Sequence, residues 1–194
     1  GLTEPIFVPE YWNPPSLFNL ATRTGFDIES LIFSFSIGGI ASIIYEFFFK
    51  VKHVKISKYE KHKKIHRHHA FAILSGPIIF MPLYFLTTLN PIYSASIAMF
   101  LGGIAALFCR PDLKKKIFIS GILFFILYFL FFLFFTLSYP GIVQEVWNLS
   151  AISGFLLFGI PLEELLFAFT FGMLWGSYYE HIKWYKIKEI KKKN

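Results

Sequence analysis

Apolar residues run through this chain in five long blocks, near Ile28–Phe49, Ala70–Leu89, Ile92–Phe108, Ile117–Leu137 and Ile160–Ile182. Polar residues gather between the blocks. Each block has the length of a helix that crosses the hydrocarbon core of a bilayer. None alternates strictly between apolar and polar, so helices are expected rather than barrel strands. The pattern predicts an all-α integral membrane protein with five transmembrane helices. Gly38, Gly39, Gly102, Gly103, Gly172 and Gly176 fall inside the blocks. Small residues there let helices approach closely, although glycine is also commoner in membrane helices generally.

The pattern also occurs twice. Pro5, Val8, Glu10, Trp12 and Asn13 are matched by Pro140, Val143, Glu145, Trp147 and Asn148, 135 residues on. Glu29, Phe33, Phe35 and Tyr45-Glu46 are matched by Glu163, Phe167, Phe169 and Tyr179-Glu180, 134 residues on. A three-helix unit duplicated in parallel is therefore expected. Residues 1–69 form the first copy with a basic loop, residues 70–89 a linking span, and residues 90–194 the second copy with a basic C-terminal tail. The second copy is preceded by two spans that the first lacks. A complete duplication would place two further helices, roughly 45 residues, upstream of residue 1 and give seven spans.

Composition and charge sharpen this reading. Hydrophobic residues make up 55% of the 194, and 26 are Phe. A soluble domain of this size needs far less apolar surface. Of 19 Lys and Arg, eight lie in 50–67, four in 110–116 and six in 183–193. Alternating the spans puts all three clusters on one side, which the positive-inside rule makes cytoplasmic. The net charge of +7 then belongs beside anionic lipid headgroups, not nucleic acid.

Few residues remain for chemistry. Glu29, Glu163 and Glu164 stand at the starts of the repeated helices. An acidic first turn after Pro161 is an ordinary helix start. Duplication and depth favour more, because a desolvated carboxyl can stay protonated and serve as a general acid. Asp27 takes the position of Pro161, and Ser30 that of Glu164. Glu10, Trp12, Asn13, Glu145, Trp147 and Asn148 are expected in loops over the outer mouth of a cavity lined by some of Phe33, Phe35, Phe167 and Phe169. Glu46 and Glu180 suit structural ion pairs with a Lys. His62, His66, His68 and His69 read as a solvated basic face rather than a metal site, and the single Cys109 as a small apolar filler. No cofactor motif, phosphate loop or Ser-His-Asp arrangement is evident.

Pro161-Leu-Glu163-Glu164-Leu-Leu-Phe167 in a duplicated three-helix unit resembles the membrane-type lycopene cyclase domain family. The likeness covers both copies, although Asp27-Ile-Glu29-Ser30 departs from the motif twice. It implies acid-initiated, non-redox cyclisation of a carotenoid or polyprenyl end group. Glu163 and Glu164 carry over by motif, and Glu29 by position. The implied partners are an apolar carotenoid or polyprenyl substrate and membrane lipid, with an oligomer allowed. A protein that binds such a lipid without turning it over is the alternative of another class.

Overall fold

The computed structural model describes residues 3–190; Lys191–Lys193, which close the third basic cluster, lie outside them. In chain order the elements are α1 (Glu4–Phe7), α2 (Leu20–Thr24), α3 (Ile28–Phe48), β1 (Val51–Lys55), α4 (Lys58–Lys61), α5 (His69–Leu86), α6 (Pro91–Cys109) and α7 (Lys114–Ser138). After these come α8 (Ile142–Val146), β2 (Leu156–Leu157), β3 (Ile160–Pro161), α9 (Leu162–Trp175), α10 (Tyr178–Lys183) and β4 (Tyr185–Glu189).

Among the described residues, four helical stretches are long and apolar enough to cross a membrane: Ile28–Phe48, Lys64–Leu86, Pro91–Cys109 and Pro111–Ser138. They correspond to the first four blocks. Their ends are set locally. Asp27 caps α3 by accepting the Ser30 N–H, and Asn90 caps α6 ahead of Pro91, accepting from Ile92 N–H at 3.2 Å. Both are favoured N-cap residues. Large side chains point outward: Phe35, Phe47, Phe108 and Phe134 are each at least 71% exposed. Apolar area on that scale suits lipid rather than water.

The fifth block differs from expectation. It is not one helix over Ile160–Ile182. Ile160 and Pro161 pair with β2, α9 spans 14 residues, and α10 begins only after Gly176-Ser177. At 1.5 Å per residue α9 rises about 21 Å, less than the core of a bilayer. Weak helix formers sit at the break. Helix α9 packs tightly on α7. A Cβ on Gly172 would stand 2.8 Å from the Ser120 carbonyl oxygen, so only glycine allows this approach. Gly39, by contrast, faces open space.

The loops hold structure that the apolar pattern did not show. Trp12 and Trp147 form an antiparallel bridge, with Asn13 N–H donating to Val146 O at 2.8 Å and Asn148 N–H to Tyr11 O at 2.9 Å. At the far end of α3 and α9, β1 pairs antiparallel with β4, His53 opposite Ile187 at the centre. The first pair stands 135 residues apart and the second 134, the spacings of the two sequence blocks. Helix α3 thus runs from the Trp12–Trp147 bridge toward the β1–β4 ribbon, and α9 followed by α10 covers the same way.

Between these helix ends lies a buried ion cluster. Lys116, 2% exposed, donates to Glu46 (2.5 Å) and Glu180 (2.7 Å), and His53 Nε2 lies 2.8 Å from Glu180. The partner expected for these two carboxylates is thus a lysine from α7. Arg110, fully buried, bonds Asp112 and the carbonyls of Glu180 and Tyr185. The basic segments here are partly bound into ion pairs rather than evenly solvated.

Candidate functional site

A cavity of about 470 Å³ opens between α3, α5, α6 and α9. Its lining on α9 is Glu164, Phe167, Phe171, Leu174 and Trp175, with Tyr178 beyond. That is one stripe of a helix with a period near 3.6 residues. From Glu164 to Trp175 the stripe runs about 16 Å. Phe171 stacks on Phe167 (5.4 Å between centroids, 22°) and on Trp175 (5.6 Å, 14°), forming an aromatic ladder along the wall. Helix α3 answers with Ser30, Phe33, Ser34 and Ile37. Phe33 and Phe167 line the cavity as expected. Phe35 points away and is 85% exposed, while Phe169 packs with Ile117 and Met173 in a separate cluster. A step of two residues turns a side chain to the other side of a helix.

Glu164, 5% exposed, is the carboxylate from the helix-start motif that reaches the cavity. It accepts from Tyr11 Oη at 2.7 Å, Tyr128 Oη at 2.7 Å and Trp147 Nε1 at 2.9 Å. The indole N–H can only donate, so the carboxylate is an acceptor there. Burial, and then the Glu164 charge, hold the Tyr11 hydroxyl well above the usual phenol range, so it stays a donor.

Glu163 is buried but turned elsewhere. It accepts from Tyr93 Oη at 2.5 Å and from Ser153 N–H at 2.9 Å. Glu29 is exposed, lies outside the described lining, and accepts from Leu17 N–H at 2.7 Å. The repeated pair Glu29/Glu163 thus does one job twice: each holds the backbone of the loop ahead of its helix. Adjacent in sequence, Glu163 and Glu164 serve different donors, about 100° apart around the helix.

Of the loop residues, Trp12 lines the cavity and Trp147 orients Glu164. The Trp rings lie 5.6 Å apart. Glu10, Asn13, Glu145 and Asn148 are exposed; the Glu10 carbonyl accepts from Asn90 at 2.9 Å, and the Asn148 side chain bonds Ser150 at 2.8 Å. Asp27, 5% exposed, also accepts from the Ser30 hydroxyl at 3.0 Å and serves as a cap.

Several site residues escaped the sequence reading. Tyr11 and Tyr128 are donors to Glu164. Tyr178 donates to the carbonyl of Ile73 at 2.5 Å. Pro77, four residues on in α5, has no N–H to offer that carbonyl, and both Pro77 and Tyr178 border the cavity. Glu4 also lines it, at 6% exposure, and its Oε1 is buried with no hydrogen-bond partner among the described residues. Burial pushes the Glu4 carboxyl above the usual carboxylate range, while Ser30 and Trp12 beside it pull the other way. Tyr128, the single tyrosine in the Phe-rich α7, and Tyr11 just before Trp12 were the available signals.

Outside the cavity, His69 Nδ1 lies 3.2 Å and His66 Nδ1 3.7 Å from Cys109 Sγ, with Trp184 stacked on His69 at 3.8 Å. Cys109 is therefore a contact of the histidine loop as well as a buried filler.

Helices long and apolar enough to cross a membrane thus surround an apolar slot that has a buried carboxylate at one end. Residues 90–182 match the lycopene cyclase family model, which supports a lycopene cyclase domain over that stretch. The matched stretch contains Glu163 and Glu164. No curated protein and no solved structure gives a match.

Proposed function

We propose that this chain is an integral membrane cyclase that converts the acyclic end group of a carotenoid or related polyprenyl chain to a ring. The carrying observation is Glu164, a buried carboxylate held by three donors at the end of an apolar, aromatic-lined slot. In the reaction a carboxylic acid protonates the terminal C=C. The resulting cation is attacked by an internal alkene, closing the ring, and a base removes a proton. Substrate and product are isomers. Such a cation needs a site without water, and the faces of Phe167, Phe171 and Trp175 stabilise positive charge. The cavity volume lies within the range of small-molecule sites and suits one end of a long chain.

Glu164 serves as proton acceptor and as the anion facing the cation. Glu163 and Glu29 position the flanking loops. The two copies are related by an approximate two-fold axis through the Trp12–Trp147 and His53–Ile187 pairs. An antiparallel pair of equivalent residues is what such an axis produces, and these pairs support it at both ends.

The test is expression of this chain in lycopene-accumulating cells with pigment analysis. One or two new rings, lost in Glu164→Gln by on the order of 10²-fold or more and reduced far less in Ser30→Ala, support the reading. Unchanged lycopene co-purifying with the protein would instead select a binding protein.

A further inference from the structure

We propose that Glu4 is the second reacting carboxyl of this cavity, the one that delivers the proton, with Glu164 as the acceptor. The inference rests on the cyclase reading above and assigns roles within it. It displaces the expectation that the adjacent Glu163 and Glu164 form the pair.

Three observations carry it. First, Glu4 lines the same cavity as Glu164 and is 94% buried by its 6% exposure. Its Oε1 meets no donor or acceptor among the described residues. An acid that must hand a proton to an alkene needs an O–H uncommitted to other groups. Second, the two environments differ in the manner that separates acid from base. Glu164 receives three hydrogen bonds from Tyr11, Tyr128 and Trp147. Glu4 is buried to a similar degree, but one of its oxygens has no partner among the described residues, and burial is the largest influence on it, ahead of Ser30 and Trp12. Third, the duplication shows what Glu4 replaces. The position equivalent to Glu164 is Ser30, which carries no acid and bonds Asp27. Glu4 arrives beside Ser30 and Trp12 from α1, just as Glu164 lies beside Trp147. Each copy thus presents one carboxyl next to its repeated tryptophan, from unrelated sequence positions.

The step balances within the chain. The Glu4 O–H bond breaks as a C–H bond forms at the terminal alkene carbon, leaving Glu4 as carboxylate. The internal alkene supplies the electron pair of the new C–C bond. A C–H bond next to the final cation breaks, its electrons form the ring alkene, and Glu164 takes the proton. Proton return to Glu4 after product leaves restores the starting state. No oxidant or reductant enters.

The experiment uses the whole chain in membranes loaded with lycopene, comparing wild type, Glu4→Gln, Glu4→Asp and Glu164→Gln. Ring formation, retained pigment and the infrared C=O stretch of protonated carboxyls at neutral pH are measured. The expected result is loss of ring formation in Glu4→Gln by on the order of 10²- to 10⁴-fold, with pigment still bound and partial recovery in Glu4→Asp. A protonated-carboxyl band should be lost in Glu4→Gln and kept in Glu164→Gln. Wild-type turnover in Glu4→Gln with an inactive Glu164→Gln overturns the role of Glu4 and leaves the cyclase reading standing. An unchanged band in Glu4→Gln overturns it even if that variant is inactive. Absence of ring formation in wild type removes the cyclase reading, and the assignment falls with it.

Discussion

Neighbouring glutamates in this chain have different jobs because a helix turns each toward different partners. Glu163 accepts from the Ser153 N–H, which it shares with Tyr93 Oη, and from the Tyr93 hydroxyl itself. Glu163→Ala should lower stability by about 1.5–3 kcal/mol, the range for a hydrogen bond to a charged group, measured by thermal unfolding in micelles. Glu163→Gln keeps an acceptor oxygen and should keep ring formation. Glu29 makes the same bond at an exposed site, so Glu29→Ala should cost less. Glu4 makes a pH prediction. Its folded-state carboxyl titrates above the ordinary range because of burial. It therefore contributes stability at acid pH, below the unfolded value, and loses that contribution as pH rises through the folded value. Glu4→Gln, neutral throughout, should unfold at higher temperature than wild type at alkaline pH. The difference should vanish below about pH 4.

At the scale of elements, the α7–α9 contact positions Glu164 against Tyr128, and it depends on glycine. Gly172→Ala would push a Cβ to within 2.8 Å of a backbone oxygen and 2.7 Å of Phe124 Cβ. Overpacking of this kind costs about 1–3 kcal/mol and should also displace Glu164 from its donors. Gly39→Ala, facing open space, should be neutral or stabilise by about 0.5–1 kcal/mol through helix propensity. Paired unfolding curves in micelles distinguish the two. Five apolar blocks were legible from hydropathy alone, because the cost of unpaired backbone in lipid forces long helices. The break at Gly176-Ser177 was not, because it arises where α9 meets Ser120 of another helix. The phenylalanines show the same limit: a step of two along the chain chose Phe33 and Phe35 together, and the helical period kept only Phe33 in the cavity.

For the whole molecule, the Trp12–Trp147 bridge marks one end and the β1–β4 ribbon the other. If the positive-inside rule orients the chain, the ribbon and its lysines face the cytoplasm. A Lys52→Cys variant, exposed on β1, should then react with a membrane-impermeant maleimide only from the cytoplasmic side. A cysteine at Asn13 should react only from the other. By itself the sequence determined the apolar helices long enough to cross a membrane and a carboxylate-bearing helix start, because these follow from composition and periodicity along one chain. Only the tertiary structure decided which glutamate reaches the cavity. That choice depends on the facing of helices and on donors remote in sequence: Tyr11 and Tyr128 converge on Glu164, and Glu4 comes to the place that Ser30 leaves without an acid.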